Sequence, residues 1–283
     1  MDWKEENIDD TIKEMGNLVT LIYDYAKHWR LDNFNNINAF LRDNVDNEEL
    51  SPRERNTILT LSTNYPDGQV LRFFTNRADL QCVVGKNPHK KRFTLIFRGS
   101  EGFWDWVYDM CVFKVKLGDY GMKVHSGFYN QLMYNHTFEE IRQYIINYSN
   151  EYQYRDWEWV VSGHSLGGAL SALAGYLLAS YITYFKWTVI SFASPKVGNK
   201  AFRDNFELCQ NLRHYRVSNN YDLVTSLPTF WYYHTGYNLW YCKEDGEWKR
   251  YGYKKPPYSY YFYNFYNPYD HSCDRYLESL KKL

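Results

Sequence analysis

The chain reads Val161-Ser162-Gly163-His164-Ser165-Leu166-Gly167-Gly168-Ala169-Leu170 where a β-rich run gives way to small, apolar residues. Within this stretch, Gly163 to Gly167 has the pattern G-x-S-x-G between a predicted strand, Trp157 to Val161, and a predicted helix, Leu166 to Ser180. That context indicates a nucleophile elbow, a tight turn that presents a serine at the end of a strand. Gly163 and Gly167 meet its need for small residues two positions before and after the serine. We therefore take Ser165 as the candidate nucleophile, at which the following helix directs its N-terminal amides.

The segments on either side of the elbow predict a parallel sheet. Short apolar runs that are typical of buried strands occur at Phe93–Phe97, Trp187–Phe192 and His214–Val217. The run from Leu166 to Ser180 is apolar on nearly all sides, which is typical of a buried helix. Strands that alternate with helices at these intervals predict an α/β fold with a mostly parallel central sheet flanked by helices. A final helix is predicted over Cys273–Leu280.

The first ninety residues predict a helical and short-strand extension packed on this core. One helical face is lined by apolar residues at intervals of three and four: Ile12, Met15, Leu18, Ile22, Ala26 and Trp29. The helical region covers about the first fifty residues, and Ser51-Pro52 ends the pattern. Short β-rich runs follow at 57–61, 70–74 and 80–84. We expect a single domain over residues 1–283, in which residues 1–90 form the extension.

A serine nucleophile needs a base and an acid that orients the base. On folds with this elbow, the three follow in the order serine, acid, histidine. The histidines after Ser165 and the acids before the last of them are His214, His234 and His271, and Asp204, Asp222, Asp245 and Asp270. Asp222 follows the predicted strand His214–Val217, as an acid on a strand-end loop should. Spacing does not distinguish His271 from His234 as the base.

The composition excludes several classes of protein. The 33 Lys and Arg balance 33 Asp and Glu, whereas a nucleic-acid-binding domain should be basic on one face. The five cysteines are scattered and include no CxxC pair, so we expect reduced thiols and no metal site. No signal peptide is visible at Met1–Asp10, and no apolar run reaches the ~20 residues that span a bilayer. We therefore expect an intracellular protein.

Six short motifs follow one another between about Phe93 and Tyr276. They are Phe97–Ser100, Val124–Phe128, Val161–Leu170, Ser191–Asn199, Arg216–Val224, and Asp270-His271 followed by Tyr276. Together they resemble the motifs of the class 3 lipases, the fungal triacylglycerol lipase family within the α/β-hydrolases. The resemblance implies the α/β-hydrolase fold, with residues 93–276 as its catalytic core.

The resemblance also implies roles that spacing leaves open. It makes His271 the base, Asp222 the acid that orients it, and His234 a structural histidine near the same loop. The backbone N–H of Leu166 and Ser100 are then the donors of the oxyanion hole, which stabilises the charge that develops on a carbonyl oxygen. His125, which precedes a helix, is likewise read as a structural histidine.

The activity that the resemblance implies is hydrolysis of carboxylic esters of lipids, as in triacylglycerol lipases, through a Ser-His-Asp triad and an acyl-enzyme. A small-ester esterase, a phospholipase or an acyltransferase on the same triad is an alternative. A non-catalytic lipid-binding scaffold is a third class, against which the intact triad argues. We expect a lipid ester as substrate, and neither a cofactor nor a nucleic-acid partner.

The segment Gly102–Phe113 occupies the place of the lid in the class 3 lipases. It contains three large aromatic residues, Phe103, Trp104 and Trp106, flanked by acidic residues. On a helix, Phe103 and Trp106 share one face. We predict a mobile amphipathic lid that makes transient contact with a lipid–water interface, at which the protein is peripheral. The alternative is that these aromatic residues pack in the core.

Overall fold

The computed structural model describes residues 8–28, 68–100, 113–252 and 267–283, together with positions 51–52, 55–56 and 59. The strands are β1 (Gln69–Thr75), β2 (Gln81–Asn87), β3 (Arg92–Phe97), β4 (Lys114–Lys116), β5 (Lys123–His125), β6 (Glu158–His164), β7 (Lys186–Phe192), β8 (Leu212–Asn219), β9 (Tyr237–Cys242) and β10 (Glu247–Tyr251). The α-helices with described bounds are α1 (Ile8–His28), α2 (Ser126–Met133), α3 (Thr137–Ser149), α4 (Leu166–Tyr181), α5 (Lys200–Leu208) and α6 (Cys273–Leu280).

Among the described residues, eight strands form one sheet in the order β1-β2-β3-β6-β7-β8-β9-β10. The neighbours β3, β6, β7, β8 and β9 are parallel, and antiparallel pairs complete the two sides of the sheet. This is the mostly parallel sheet that the sequence predicts. The loops after β3, β6 and β8 leave from the same edge, the edge at which sheets of this kind bind ligands.

Helices cover both faces of the sheet. On one face, α4 packs against β3, β6 and β7, and all its residues from Leu166 to Ala179 are buried, as the apolar composition predicts. Trp159 and Trp187 stack in this layer with ring centroids 5.4 Å apart. On the other face, α1 packs against α6 and against β3, β6 and β7. Two apolar cores, one on each face, therefore hold the sheet that carries the elbow.

Helix α1 confirms the amphipathic stripe predicted near the N-terminus. Four residues of the stripe are buried against the sheet: Ile12, Met15, Leu18 and Ile22. Beside the stripe, the buried Glu14 accepts hydrogen bonds from Lys90 Nζ at 2.6 Å and from Arg92 Nη1 at 3.2 Å. These charged bonds tie α1 to the start of β3. The rest of the predicted helical region, residues 29–50, lies outside the described residues.

Two of the three β-rich runs predicted before residue 90 are strands of the main sheet. The run 70–74 lies within β1, and the run 80–84 coincides with β2 from Gln81 onward. The prediction for 57–61 is wrong at its described position, because Leu59 is helical and 51% exposed. Pro52 suits the first turn of a helix, and Arg55 N–H donates to the Ser51 carbonyl at 3.1 Å. The described positions 52, 55, 56 and 59 are all helical.

Candidate active site

The turn between β6 and α4 holds Ser165 in a backbone conformation that few non-glycine residues adopt. Its φ is +57° and its ψ is −124°, a costly combination that persists only when the surrounding structure imposes it. A side chain on Gly163 would overlap the carbonyl oxygen of Gly167, and a side chain on Gly167 would overlap the carbonyl oxygen of Phe97. Both positions therefore require glycine, and the elbow that the G-x-S-x-G pattern predicts is present.

His271 is the histidine that contacts the candidate nucleophile. It ends the 3-10 turn Pro268–His271, shortly before α6, and its Nε2 lies 2.9 Å from Ser165 Oγ. Both residues are buried, with 3% of Ser165 and 6% of His271 exposed. The distance is that of a hydrogen bond in which the serine hydroxyl donates to the imidazole. The structure thus places His271 beside Ser165, as the resemblance implied. Residue spacing alone did not distinguish His271 from His234.

Asp222 holds the other side of the His271 ring. It follows β8, and its Oδ1 and Oδ2 lie 2.9 and 3.0 Å from His271 Nδ1. The N–H of Val224 donates to Oδ1 at 3.0 Å, which fixes the carboxylate on the loop. Because a carboxylate accepts, Nδ1 of His271 carries the proton and leaves Nε2 to accept from Ser165.

Tyr276 on α6 also belongs to the site, although the sequence pattern assigned it no role. Its hydroxyl donates to Asp222 Oδ2 at 2.7 Å and accepts from the N–H of Asn219 at 3.1 Å. Burial raises the pKa of Tyr276 well above its ordinary value, and the Asp222 carboxylate raises it further. The phenol therefore keeps its proton and acts as a donor. The signal in the sequence was its place on the predicted helix that follows His271.

The other histidines downstream of the elbow have structural partners. His234 Nε2 donates to the carbonyl of Thr225 at 2.6 Å, in the turn that follows the acid. His214 Nε2 and Nδ1 each lie 2.8 Å from a hydroxyl, of Ser191 and Thr235 respectively. Burial lowers the pKa of both histidines well below the ordinary value, and a nearby arginine lowers it further. Both rings are therefore neutral and serve packing.

His125, which the resemblance also made structural, caps helix α2. Its Nδ1 accepts from the N–H of Gly127 at 3.1 Å, which satisfies a donor of the first helical turn. Its ring stacks on Phe128 with centroids 4.2 Å apart. This histidine therefore fixes the start of α2.

The other acids considered from the sequence have partners elsewhere. Asp204 and Asp245 form surface ion pairs with lysines four residues away. Asp270 is buried beside the candidate base, but its Oδ2 accepts from Asn220 Nδ2 at 2.8 Å. This bond ties the turn that carries His271 to the loop after β8. Asp270 therefore joins the two loops, and Asp222 is the acid that faces the imidazole.

Ser100 and Leu166, the predicted oxyanion donors, lie on two adjacent backbone segments. Phe97 of β3 pairs with Gly163 of β6, so the residues after Phe97 reach the same edge of the sheet as the elbow. Leu166 is the first residue of α4, and its N–H therefore has no carbonyl one turn earlier in the helix. Ser100 follows β3 and is half-buried. The role of these two donors stays a prediction.

The predicted lid falls outside the described residues. Phe103, Trp104 and Trp106 lie within 101–112, between Ser100 and the next described residue, Phe113. Whether these aromatic side chains form a lid or a part of the core therefore stays a prediction.

The described ranges contain neither a candidate metal site nor a helix that could span a membrane. No group of three or more His, Cys, Asp or Glu side chains there could hold a metal ion. No helix of the described segments has both the length and the apolar character needed to cross a membrane. Cys82, Cys209 and Cys242 are thiols rather than disulfides.

A serine on a strand–turn–helix elbow, with its acid and histidine on loops after later strands, defines an α/β-hydrolase. The same fold is found in the Rhizomucor miehei lipase propeptide complex. The two structures have a TM-score of 0.71 at 19% identity, over 93% of this chain and 78% of that chain.

The family is indicated by the sequence itself. Residues 94–231 match the family model described as Lipase (class 3). The lipase of Rhizomucor miehei is 29% identical over 168 residues, which is 57% of this chain and 45% of that protein. Secreted mono- and diacylglycerol lipase 1 of Fusarium solani is 31% identical over 172 residues, which is 58% of this chain and 48% of that protein. The chain is therefore similar to the class 3 lipases over these residues, and it spans about half the length of the curated relatives it matches.

Proposed function

We propose that the protein is a serine hydrolase that cleaves carboxylic esters of lipids, as a triacylglycerol lipase does. The observation that carries the proposal is the hydrogen-bonded series Ser165–His271–Asp222, with 2.9 Å from Oγ to Nε2 and 2.9 Å from Nδ1 to Oδ1. A serine hydroxyl is a weak nucleophile until a base accepts its proton, and an acid must hold that base in the right tautomer.

In the acylation step, Ser165 Oγ attacks the ester carbonyl carbon while His271 Nε2 takes the hydroxyl proton. Asp222 stabilises the imidazolium that forms. The carbonyl oxygen becomes an oxyanion, to which Leu166 N–H and Ser100 donate, and each such donor is typically worth ~3 kcal/mol of barrier. The imidazolium then gives its proton to the leaving alcohol, and the acyl group stays on Ser165.

In the deacylation step, His271 takes a proton from water, and the resulting hydroxide adds to the acyl carbonyl carbon. The second tetrahedral intermediate collapses, the fatty acid leaves, and His271 returns the proton to Ser165 Oγ. An alcohol that replaced water in this step would make the protein an acyltransferase on the same triad.

The lipid part of the proposal is supported by the relatives and by exposed aromatic side chains in the chain before β4 and after Asp222. The relatives carry the names lipase and mono- and diacylglycerol lipase. Phe113, Phe230 and Trp231 are 71%, 77% and 77% exposed, and the Tyr232 hydroxyl donates to the Phe113 carbonyl at 3.1 Å. Phe113, the residue before β4, therefore meets the segment after Asp222 where these aromatic side chains lie. Exposed apolar groups of this size suit transient contact with a lipid–water interface.

A fluorophosphonate probe tests the nucleophile. The protein should be labelled once, and Ser165→Ala should abolish labelling while the circular dichroism spectrum stays unchanged. Labelling that survives this substitution would show that another residue is the nucleophile, and the proposed function would then lose its central observation.

A substrate series separates the proposed lipase from its alternatives. Turnover should be measured on p-nitrophenyl esters of increasing chain length, on emulsified triacylglycerol and on phospholipid vesicles. A preference for long chains and emulsified triacylglycerol supports the lipase, and loss of activity beyond short chains supports the esterase. Preference for the vesicles supports a phospholipase. No turnover on any of them, with lipid binding retained, would leave the non-catalytic scaffold.

The predicted lid has its own test. Replacing Phe103 and Trp106 by serine should spare hydrolysis of a soluble short-chain ester and cut activity on emulsified triacylglycerol, because closure and opening gate access at the interface. Equal loss on both substrates, with a lower melting temperature, would show that the two residues pack in the core.

The intracellular location stays a proposal, which cell fractionation would test.

A further inference from the structure

His164, the residue before the candidate nucleophile, contacts the backbone of the base. Its Nε2 lies 2.8 Å from the carbonyl oxygen of His271, and the two imidazole centroids are 4.9 Å apart. A carbonyl oxygen only accepts, so Nε2 of His164 carries a proton and donates. Burial lowers the pKa of His164 well below its ordinary value, and the neighbouring His271 lowers it further. The ring is therefore neutral, and its Nδ1 is an acceptor.

Tyr23 on α1 provides the donor that Nδ1 needs. Its Oη lies 3.1 Å from His164 Nδ1, and because this nitrogen accepts, the phenol donates. The two rings meet edge to face, with centroids 5.8 Å apart. The hydroxyl of Tyr23 therefore favours the one tautomer of His164 that can donate to His271.

Tyr23 also touches the segment that carries the predicted oxyanion donor. A side chain on Gly99 would overlap Tyr23 Oη and would lie 2.6 Å from the carbonyl oxygen of His164. The phenol thus lies between the residue before Ser100 and the residue before Ser165.

Helix α1, which carries Tyr23, is held in place by contacts with the start of β3 and with α6. Glu14 bonds to Lys90 and Arg92 at the start of β3, and α1 packs against α6, the helix that follows His271. The position of Tyr23 relative to the site is therefore set by tertiary contacts of α1.

We propose that Tyr23 and His164 are positioning residues for the reaction. Tyr23 holds His164 in its Nε2–H tautomer, and His164 holds the backbone of His271 so that its imidazole faces Ser165. The proposal rests on the proposed hydrolase function. Tyr23 lies outside the residues 94–231 that match the family, so the N-terminal helix contributes to the site as well as to the core.

Two substitutions of His164 test the contact with the base. Glutamine is long enough to place an amide N–H where Nε2 lies, whereas asparagine reaches only the Nδ1 position. His164→Asn should lower kcat on a soluble p-nitrophenyl ester by about 10- to 100-fold, since a displaced catalytic group costs of this order, with KM unchanged. His164→Gln should stay within about threefold of the unaltered protein. Equal loss in both variants would overturn the assigned role of the Nε2–H donor.

Tyr23→Phe tests the tautomer, because it removes the hydroxyl and keeps the ring. In the unaltered background it should lower kcat by about 10-fold. In the His164→Gln background it should cause no further loss, because an amide has no tautomer to select. The same loss in both backgrounds would mean that Tyr23 acts by packing, and no loss in either would remove it from the site.

A control and a spectroscopic readout complete the experiment. Thr20, one turn earlier on α1, is buried and donates to the Gly16 carbonyl at 2.9 Å. Thr20→Val should lower the melting temperature and leave kcat unchanged. In ¹⁵N-histidine spectra, His164 should be the Nε2–H tautomer in the unaltered protein and a mixture in Tyr23→Phe; an unchanged tautomer would contradict the proposal. If the unaltered protein hydrolyses no ester, the proposed function fails; if it does and Tyr23→Phe does not slow it, only the positioning role fails.

Discussion

Tyr276 donates its phenolic proton to Asp222 Oδ2 at 2.7 Å, from the helix that follows the candidate base. The same oxygen lies 3.0 Å from His271 Nδ1, so the tyrosine and the base share one carboxylate atom. Only 2% of Asp222 is exposed. The hydrogen bonds from Tyr276, His271 and Val224 replace the water that a buried carboxylate loses.

Tyr276→Phe removes one of these donors and keeps the aromatic packing. A hydrogen bond to a charged group contributes ~1.5–3 kcal/mol, so the free energy of unfolding should fall by about 2 kcal/mol. The kcat should fall by about 10-fold, because a less constrained carboxylate holds His271 less firmly. Urea unfolding and hydrolysis of a soluble ester measure the two effects. An unchanged kcat would show that the Val224 bond suffices to orient Asp222.

Three buried histidines predict a loss of stability in mild acid. Burial lowers the pKa of His164, His214 and His234 well below the ordinary value, whereas in the unfolded chain a histidine titrates near ~6.5. The unfolded state therefore binds more protons below about pH 6.5, and the free energy of unfolding decreases as the pH falls. Each histidine contributes up to about 1.4 kcal/mol per pH unit.

Urea unfolding between about pH 7.5 and pH 5 measures this slope. His234→Gln keeps an amide N–H near the Thr225 carbonyl and removes one titrating group. The slope should therefore decrease by the amount that corresponds to one bound proton. Burial raises the pKa of Glu14 above its ordinary value of 4.5, although Arg92 and Lys90 oppose the rise. Its protonation favours the folded state and works against the histidines in the acid part of the range. If the slope is the same in His234→Gln as in the unaltered protein, the assignment of His234 as a neutral histidine is wrong.

Gly167→Ala should disrupt the elbow, because its methyl group would overlap the carbonyl oxygen of Phe97. Overpacking of this kind costs about 1–3 kcal/mol, and the shift of Leu166 N–H should lower kcat by about 100-fold. Gly252→Ala is the matched control, since no atom of the described residues lies within 4 Å of a Cβ at that position. Thermal unfolding and fluorophosphonate labelling report the two effects. A Gly167→Ala protein with the stability and labelling rate of the control would refute the steric argument.

Arg92→Met should loosen α1 from the sheet. Arg92 binds Glu14, Glu158 and Thr11, and the Glu14 side chain is only 2% exposed. Removing one partner of a buried ion pair costs about 3–5 kcal/mol, a loss that the remaining Lys90 bond should reduce to about 2–3 kcal/mol. The double variant Glu14→Gln/Arg92→Met should recover part of that stability, as measured by urea unfolding. If the double variant is as unstable as Arg92→Met, the buried charge is not the cause.

The sequence by itself determined the elements whose cause is local. The elbow follows from two glycines beside a serine between a strand and a helix, since overlap with nearby backbone excludes any larger residue at Gly163 and Gly167. Helix α4 follows from an apolar run too continuous for a surface helix, and α6 has the bounds Cys273–Leu280 that its sequence predicts. The local rule fails at Leu59, the described position of the run 57–61, which is helical, because strand propensity depends strongly on context and does not by itself fix a strand.

Only the tertiary structure decided which distant residues meet. Residue spacing left His271 and His234 equivalent, because separation along the chain says nothing about distance in space. In the fold, the His271 imidazole lies 2.9 Å from Ser165, whereas the His234 imidazole lies 2.6 Å from the backbone carbonyl of Thr225. Tyr23 carried no signal at all, because its contact with His164 spans 141 positions of the chain and depends on how α1 packs beneath the sheet. Such contacts arise from the packing of whole elements, so no pattern within a single segment reveals them.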